Sequence, residues 1–411
     1  MPRTSEHSLH LPHVLIESKG GHNLSYLFAL RVVRDLVNKL ALFFLPIFLF
    51  QFGIRSGLLA DLPLSDLQRG VLANALYYLV SRFVVLVTAV PLGNWLQRVG
   101  HQKMMQYSYL LHMIGFVCLY LSTGVPLLII PAAILDGFQA NMFWTSYHTV
   151  LSQSSLKQHM GRNLGALQVI LQLVGVISPA LSGIIAVTSG LSSLFLVALA
   201  GTILGYIFTL QITVSYKFDK VSWKEFFTWL KESEFRKLTV SVAGRYINDA
   251  AIFLWPLYVY IALGAVDKVG YLYTTSLFLA MLFSFFLGAY IDKAATKRPY
   301  LFSGSLLSAM WLVRTQLFGP LGIALVDFFD RLTSNFHWLF FDMILMRRSK
   351  GRNALSYFVY REMVMSITAF FFWTIFALFF IIDLGWSPLF IFAAVSVMMS
   401  LLINERTPRD V

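Results

Sequence analysis

Charge is what this sequence has least of. Asp, Glu, Lys and Arg make up 13% of its 411 residues, about half the share of a soluble domain. That shortage excludes a soluble enzyme, a disordered chain and a collagen-like repeat, and it leaves little room for a sizeable soluble domain. Cysteine is nearly absent too. Cys118 is the only one and lies in an apolar run, so there is neither a disulfide framework nor a thiolate metal site. No Gly-rich loop ends in Gly-Lys-Ser/Thr, so ATP is not the direct energy source. No paired-His helix motif and no Gly-x-Ser-x-Gly elbow occurs, so neither an enzyme nor a cofactor or metal site is expected. The first residues lack the charged-then-apolar order of a cleaved signal. They read as a polar tail over 1–24 with His7, His10, His13 and His22.

Apolar residues fill the space that charge leaves. They make up 57% of the chain, 16% is aromatic, and the mean hydropathy is +0.69. A membrane helix takes roughly 20 apolar residues, so about twelve spans fit. Runs bounded by Gly, Pro or charge fall near 26–52, 70–96, 103–122, 126–151, 164–187 and 191–214. Six more fall near 238–264, 269–291, 299–318, 320–346, 354–382 and 387–404. The net charge of +12 and pI of 9.7 follow from topology. Alternate gaps hold 17 cations against 3 in the others, the asymmetry of basic cytoplasmic loops. Both termini are therefore expected in the cytoplasm, and no nucleic-acid partner is expected.

The longest gap, 215–237, divides the spans six and six, as bundles over 25–214 and 238–404 with a tail at 405–411. Within it Trp223, Phe226, Phe227 and Leu230 recur at helical spacing among Lys220, Lys224 and Lys231. This pattern predicts an amphipathic linker helix on the inner membrane surface.

The two sets repeat each other. Asn38 and Pro46 in span 1 match Asn248 and Pro256 in span 7. Asp136, Asn141, Trp144 and His148 in span 4 match Asp330, Asn335, Trp338 and Asp342 in span 10. Gly161-Arg162-Asn163 opens span 5 as Gly351-Arg352-Asn353 opens span 11. Three matches in order argue for an internal duplication, and two homologous six-helix halves around a central site are a transporter architecture.

With this pattern the chain resembles the major facilitator superfamily over nearly its whole length. Members carry a Gly/Asp/basic loop motif after span 2, often echoed after span 8. The first copy here reads Gly93-Asn94-Trp95-Leu96-Gln97-Arg98-Val99-Gly100-His101-Gln102-Lys103, with Gln97 in the Asp place. The second runs Gly288-Ala289-Tyr290-Ile291-Asp292-Lys293, without the later Gly. The resemblance implies an all-α membrane fold of twelve spans in two pseudo-symmetric bundles, with Gly93, Arg98, Gly100, Gly288, Asp292 and Lys293 in gating loops. Two basic turns that merely fix topology are the alternative. Gly175-Val176-Ile177-Ser178-Pro179-Ala180-Leu181-Ser182-Gly183 in span 5 is similar to a signature of family exporters, with plain helix packing as its alternative.

Ionisable residues inside spans usually face a cavity or a partner. Arg31, Arg34, Asp35, Asn38 and Lys39 fall on one face of span 1, within roughly 140°. Arg245, Asn248 and Asp249 share a face of span 7. The i, i+4 pairs Asp35/Lys39 and Arg245/Asp249 are equivalent with their signs reversed, and each can neutralise itself. Span 4 adds Asp136, Asn141 and Trp144. Span 10 adds Asp327, Asp330, Arg331, Asn335 and Trp338. Spans 3, 6, 9 and 12 contain almost no ionisable groups, so spans 1, 4, 7 and 10 line a central pathway, as the resemblance also implies. Asp136, Asp249, Asp327 and Asp330 are the candidates for proton coupling. Lys39, Arg245 and Arg331 are the candidates for holding an anion, with structural ion pairs as the alternative for each.

The expectation is a monomeric secondary active transporter of a small solute in the cell (inner or plasma) membrane. It would alternate access and couple to protons, with a lean to export or antiport. The alternative is a receptor or scaffold of the same fold that does not transport.

Overall fold

The computed structural model describes residues 21–154, 160–214, 216, 218–291, 298–316, 319–349 and 353–403. Among these the regular structure is helix alone, without strands, because a chain surrounded by lipid must satisfy its backbone polar groups within its own segments. A helix stands at each expected span. Span 1 comprises α1 (Gly21–Val37), a π-helical turn (Asn38–Leu42) and α2 (Leu45–Arg55). Spans 2 to 6 are α3 (Asp66–Val99), α4 (His101–Leu121), α5 (Ile129–Ser154), α6 (Met160–Ser189) and α7 (Ser193–Thr209). A short linker helix, α8 (Trp223–Trp229), follows. Spans 7 to 12 are α9 (Ser233–Leu263), α10 (Val266–Ile291), α11 (Arg298–Val313), α12 (Gly319–Arg348), α13 (Ala354–Ile381) and α14 (Ser387–Ser400).

Among the described residues seven helices are long and apolar enough to cross a membrane, and α7 and α14 are shorter apolar ones. The end of the bundle at which α1 begins and α14 finishes is called the inner end. The polar tail up to residue 20, and Asp292 and Lys293 of the second loop motif, lie outside the described residues.

Local sequence sets the ends of these helices. Ser65 and Gln68 form a reciprocal capping box at the start of α3. Gly100, at φ +86°, lets α4 begin directly after α3. Pro46 sits in the first turn of α2, where its missing N–H costs nothing.

Packing between helices supplies the association that water would drive in a soluble protein. Two seams join the first six spans to the last six: α3 lies along α13, and α6 along α10. On the first seam Tyr78 stacks on Trp373 at 4.5 Å, and the Trp373 indole donates to the Tyr246 hydroxyl at 3.0 Å. On the second, a Cβ added at Gly183 would stand 3.5 Å from the Asp267 Cα, and one added at Gly270 only 2.6 Å from the Pro179 carbonyl oxygen. Small residues of the span 5 motif thus serve close helix approach.

The linker is held against protein. Asn94 exchanges two hydrogen bonds with the Val221 backbone, at 2.9 and 3.0 Å, and Gln97 donates to the Asp219 carbonyl at 2.8 Å. The Tyr360 hydroxyl donates toward the Ser222 carbonyl at 2.9 Å and the Glu225 carboxylate at 2.7 Å. Phe226 is buried against Tyr360 and Phe235, while Trp223 and Phe227 remain exposed.

Candidate functional site

The polar faces of α1, α6, α9 and α12 enclose space at mid-depth. A middle chamber of about 460 Å³ is lined by Asp35, Lys39, Gln168, Gln172, Asp249, Arg331 and Asn335, with Phe43, Ile252, Phe253, Tyr273 and Leu277 as its apolar wall. An inner chamber of about 190 Å³ continues toward the inner end, lined by Arg31, His148, Arg245, Asn335, Trp338 and Asp342. Gln168, Leu171 and Asn335 belong to both.

Contacts between the two sets of spans bracket this space. Gln51 donates to the Tyr260 hydroxyl at 3.0 Å and Thr274 accepts from the Ala180 N–H at 3.1 Å, both toward the outer end. Ser152 donates to the Ser349 carbonyl at 2.8 Å at the inner end.

Charge in the chamber is paired along the helices. Lys39 meets Asp35 at 2.7 Å, and Arg31 reaches the same carboxylate at 3.6 Å. Arg245 meets Asp249 at 2.7 Å, and Arg331 lies 3.5 Å from Asp327. Lys39 also donates to the Leu171 carbonyl at 2.7 Å, in a notch that Gly175 leaves: a Cβ there would stand 2.9 Å from the ammonium. The duplication reappears as two cation–ring contacts, Arg31 over Trp144 at 4.6 Å and Arg245 over Trp338 at 4.2 Å.

Several sequence candidates are held within the walls. Arg34 is buried over Phe143, at 3.7 Å, and donates to Gln139, which donates onward to Asp136 at 2.9 Å. Ser81 supplies a second bond to Asp136 at 2.7 Å. Asn141 turns to Thr88 on α3 at 3.0 Å, whereas its counterpart Asn335 opens on both chambers. Asp327 is buried behind Arg331. Asp330 pairs at 3.3 Å with Arg314, which lies between the rings of Trp311 and Trp255 at 4.0 and 4.5 Å. Arg314, just past α11 in span 9, is an exception to the expectation that spans 3, 6, 9 and 12 hold almost no charge.

In the first loop motif, Gly93 abuts Val359 and Val221, Gly100 makes the turn, and Arg98 is exposed. Gly288 lies in α10. Among the described residues no group of metal-ligating side chains occurs.

Sequence reasoning passed over Gln168 and Gln172, which stand four apart in an otherwise apolar run. That spacing on one helix face was a usable signal. It also passed over Tyr273, Gln139 and Arg314, whose roles depend on which helices become neighbours.

Among curated protein sequences none matches this chain. The solved structure of the human organic anion transporter MFSD10 (TETRAN) is similar, with a TM-score of 0.69 at 10% identity over 93% of this chain and 99% of that one. The E. coli fucose:proton symporter FucP gives 0.64 at 12% identity, over 92% and 97%. FucP in its outward conformation gives 0.59 at 11% identity over the same shares. At such identities the likeness is one of fold alone. The family model of the Major Facilitator Superfamily matches residues 27–243. With that match over more than half its length, the chain belongs to the major facilitator superfamily of transporters.

Proposed function

We propose that this protein is a secondary active transporter that carries a small solute through the central chamber by alternating access. The observation that carries this reading is a polar chamber at mid-depth, lined from both sets of spans and bracketed by contacts at both ends. Rocking the two bundles would break one set of contacts and keep the other. Solute binding shifts the balance between the two states by its differential affinity for them.

Protons are the coupling ion in this reading, and Asp249 is their carrier. It faces the chamber, and among the described residues its one ion-pair partner is Arg245, on its own helix. Protonating Asp249 would release Arg245 and change the charge presented to the solute. In this reading the basic loops favour both termini on the cytoplasmic side of a cell membrane, and the protein acts as a monomer. The lean to export rests on the span 5 pattern at 175–183.

A panel of solutes in proteoliposomes, with and without an imposed pH gradient, tests the reading. A solute that accumulates uphill only with the gradient supports it. Exchange that ignores the gradient removes proton coupling, and a panel in which nothing moves removes transport.

A further inference from the structure

We propose that the middle chamber takes an organic monocarboxylate with an apolar body, its carboxylate bridging Lys39 and Arg331. This rests on the reading of the chamber as the solute site.

Each ion pair at the chamber turns one member toward the opening and the other toward the protein. The Lys39 side chain is 33% exposed and its partner Asp35 is 13%. Arg331 is 19% exposed and Asp327 is 0%. The third pair runs the other way, with Asp249 at 45% and Arg245 at 23%. Asp35 also lines the chamber, but it serves both Lys39 and Arg31, so these pairs hold four cations (Arg31, Lys39, Arg245 and Arg331) against three carboxylates (Asp35, Asp249 and Asp327), a surplus of one positive charge. A monoanion matches that surplus, while a dianion exceeds it and a cation opposes it.

Both cations have donors to spare. Asp35 is shared between Lys39 and Arg31, so one carboxylate serves two cations. Lys39 has three N–H donors, of which Asp35 and the Leu171 carbonyl take two. Arg331 stands 3.5 Å from Asp327, well beyond a charge-assisted hydrogen bond of about 2.7–2.9 Å. The Nε that faces Asp327 is buried, which leaves the two Nη groups of the guanidinium, four of its five N–H donors, for a solute. A carboxylate entering between the two cations completes both.

The rest of the lining fixes the body of the molecule. Phe43, Ile252, Phe253, Tyr273 and Leu277 form one apolar wall. Among the described residues Gln168, Gln172 and Asn335 are the only uncharged amides in the middle chamber, too few to satisfy a polyol on every side. Lys39 comes from the first six spans and Arg331 from the last six. A carboxylate held by both is thus a group whose binding depends on how the two sets stand to each other.

Binding of phenylacetate, phenylbutyrate and naphthoate to the purified full-length protein tests this, each compared with its primary amide and its amine. Isothermal calorimetry and thermal shift provide the readouts. At least one carboxylate should bind about tenfold or more tighter than its amide and amine, the worth of a hydrogen bond to a charged group. That preference should vanish in Lys39→Gln and in the double variant Asp327→Asn/Arg331→Gln, which strands no buried carboxylate.

Equal binding of amide or amine, a preference that survives both variants, or no binding by any probe overturns the proposal. Carboxylate preference without uptake under any gradient removes the transport reading and leaves the site standing. Uptake of a neutral or cationic solute without carboxylate preference removes the site assignment and leaves transport standing.

Discussion

Gly270→Ala is a wedge placed in one of the two seams. In α10 the Cβ of an alanine at 270 would stand 2.6 Å from the Pro179 carbonyl oxygen and 3.3 Å from the Pro179 carbonyl carbon. Both are backbone atoms of α6, so no side chain can rotate away. Ordinary contact begins near 3.4 Å, so α6 and α10 must separate by about 0.8 Å (3.4 − 2.6). Overpacking of this kind costs about 1–3 kcal/mol. The two helices belong to different bundles, so the cost falls only on the state in which their outer ends touch. The equilibrium then moves by a factor of about 5–150 toward the state open at the outer end. A reporter cysteine at Phe43, whose ring meets Tyr273 at 4.7 Å on that side, reads the shift in a Cys118→Ser background. The rate of maleimide labelling in nanodiscs should rise at least about fivefold with Gly270→Ala, from the lower end of that range. An unchanged or slower rate, with thermal stability intact, refutes the reasoning.

Asp249→Asn should abolish the effect of an imposed pH gradient on uptake in proteoliposomes while solute exchange continues, and intact proton-driven accumulation removes Asp249 from the coupling step. Asp330→Ala strands the buried Arg314 and should cost about 3–5 kcal/mol of stability, seen as a lower Tm of the purified protein. The double variant Arg314→Met/Asp330→Leu should recover most of that loss, and a Tm that stays low contradicts the pairing. Tyr360→Phe removes the hydroxyl that holds Ser222 and Glu225, worth about 1.5 kcal/mol or more. Trypsin should then cut after Lys220 and Lys224 about tenfold faster, and unchanged cleavage means that the linker is held by other contacts.

The fold was legible in the sequence because a bilayer enforces run length and polarity so strictly. Scarce charge marked the gaps, and the repeated Asn/Pro and Asp/Asn/Trp spacings marked the duplication. Within the site, pairs on one helix were equally legible: Asp35 with Lys39 and Arg245 with Asp249 need only the helical period to meet. Contacts between helices were not. Arg314 and Asp330 lie 16 residues apart on two helices, and Arg34 reaches Gln139 across 105 residues. Helix identity alone did not say which face of α5 points inward. Asn141 and Asn335 occupy matched places, yet one is consumed by Thr88 and the other lines the chambers. Asn248 accepts from the Trp311 indole at 2.9 Å, while the side-chain oxygen of Asn38 has no hydrogen-bond partner among the described residues. Duplication preserves residues longer than it preserves their employment.

The π-helical turn at Asn38–Leu42, closed by the Phe43 N–H on the Asn38 carbonyl at 3.1 Å, puts span 1 out of phase with itself. One surplus residue rotates everything beyond it by about 100°. Below the turn the helix shows Arg31 and Asp35 to the chambers, and Lys39 joins them from within it. Above it, Pro46, Ile47, Phe48, Leu49 and Phe50 are all buried, and Gln51 reaches α9. From Leu40 to Ile54 the sequence holds no charged residue, so the stripe of charge stops at the depth of the chamber instead of running on as a wire through the protein. The turn stands at the joint between a segment that handles ions and one that insulates against them, and it re-aims the apolar residues that follow.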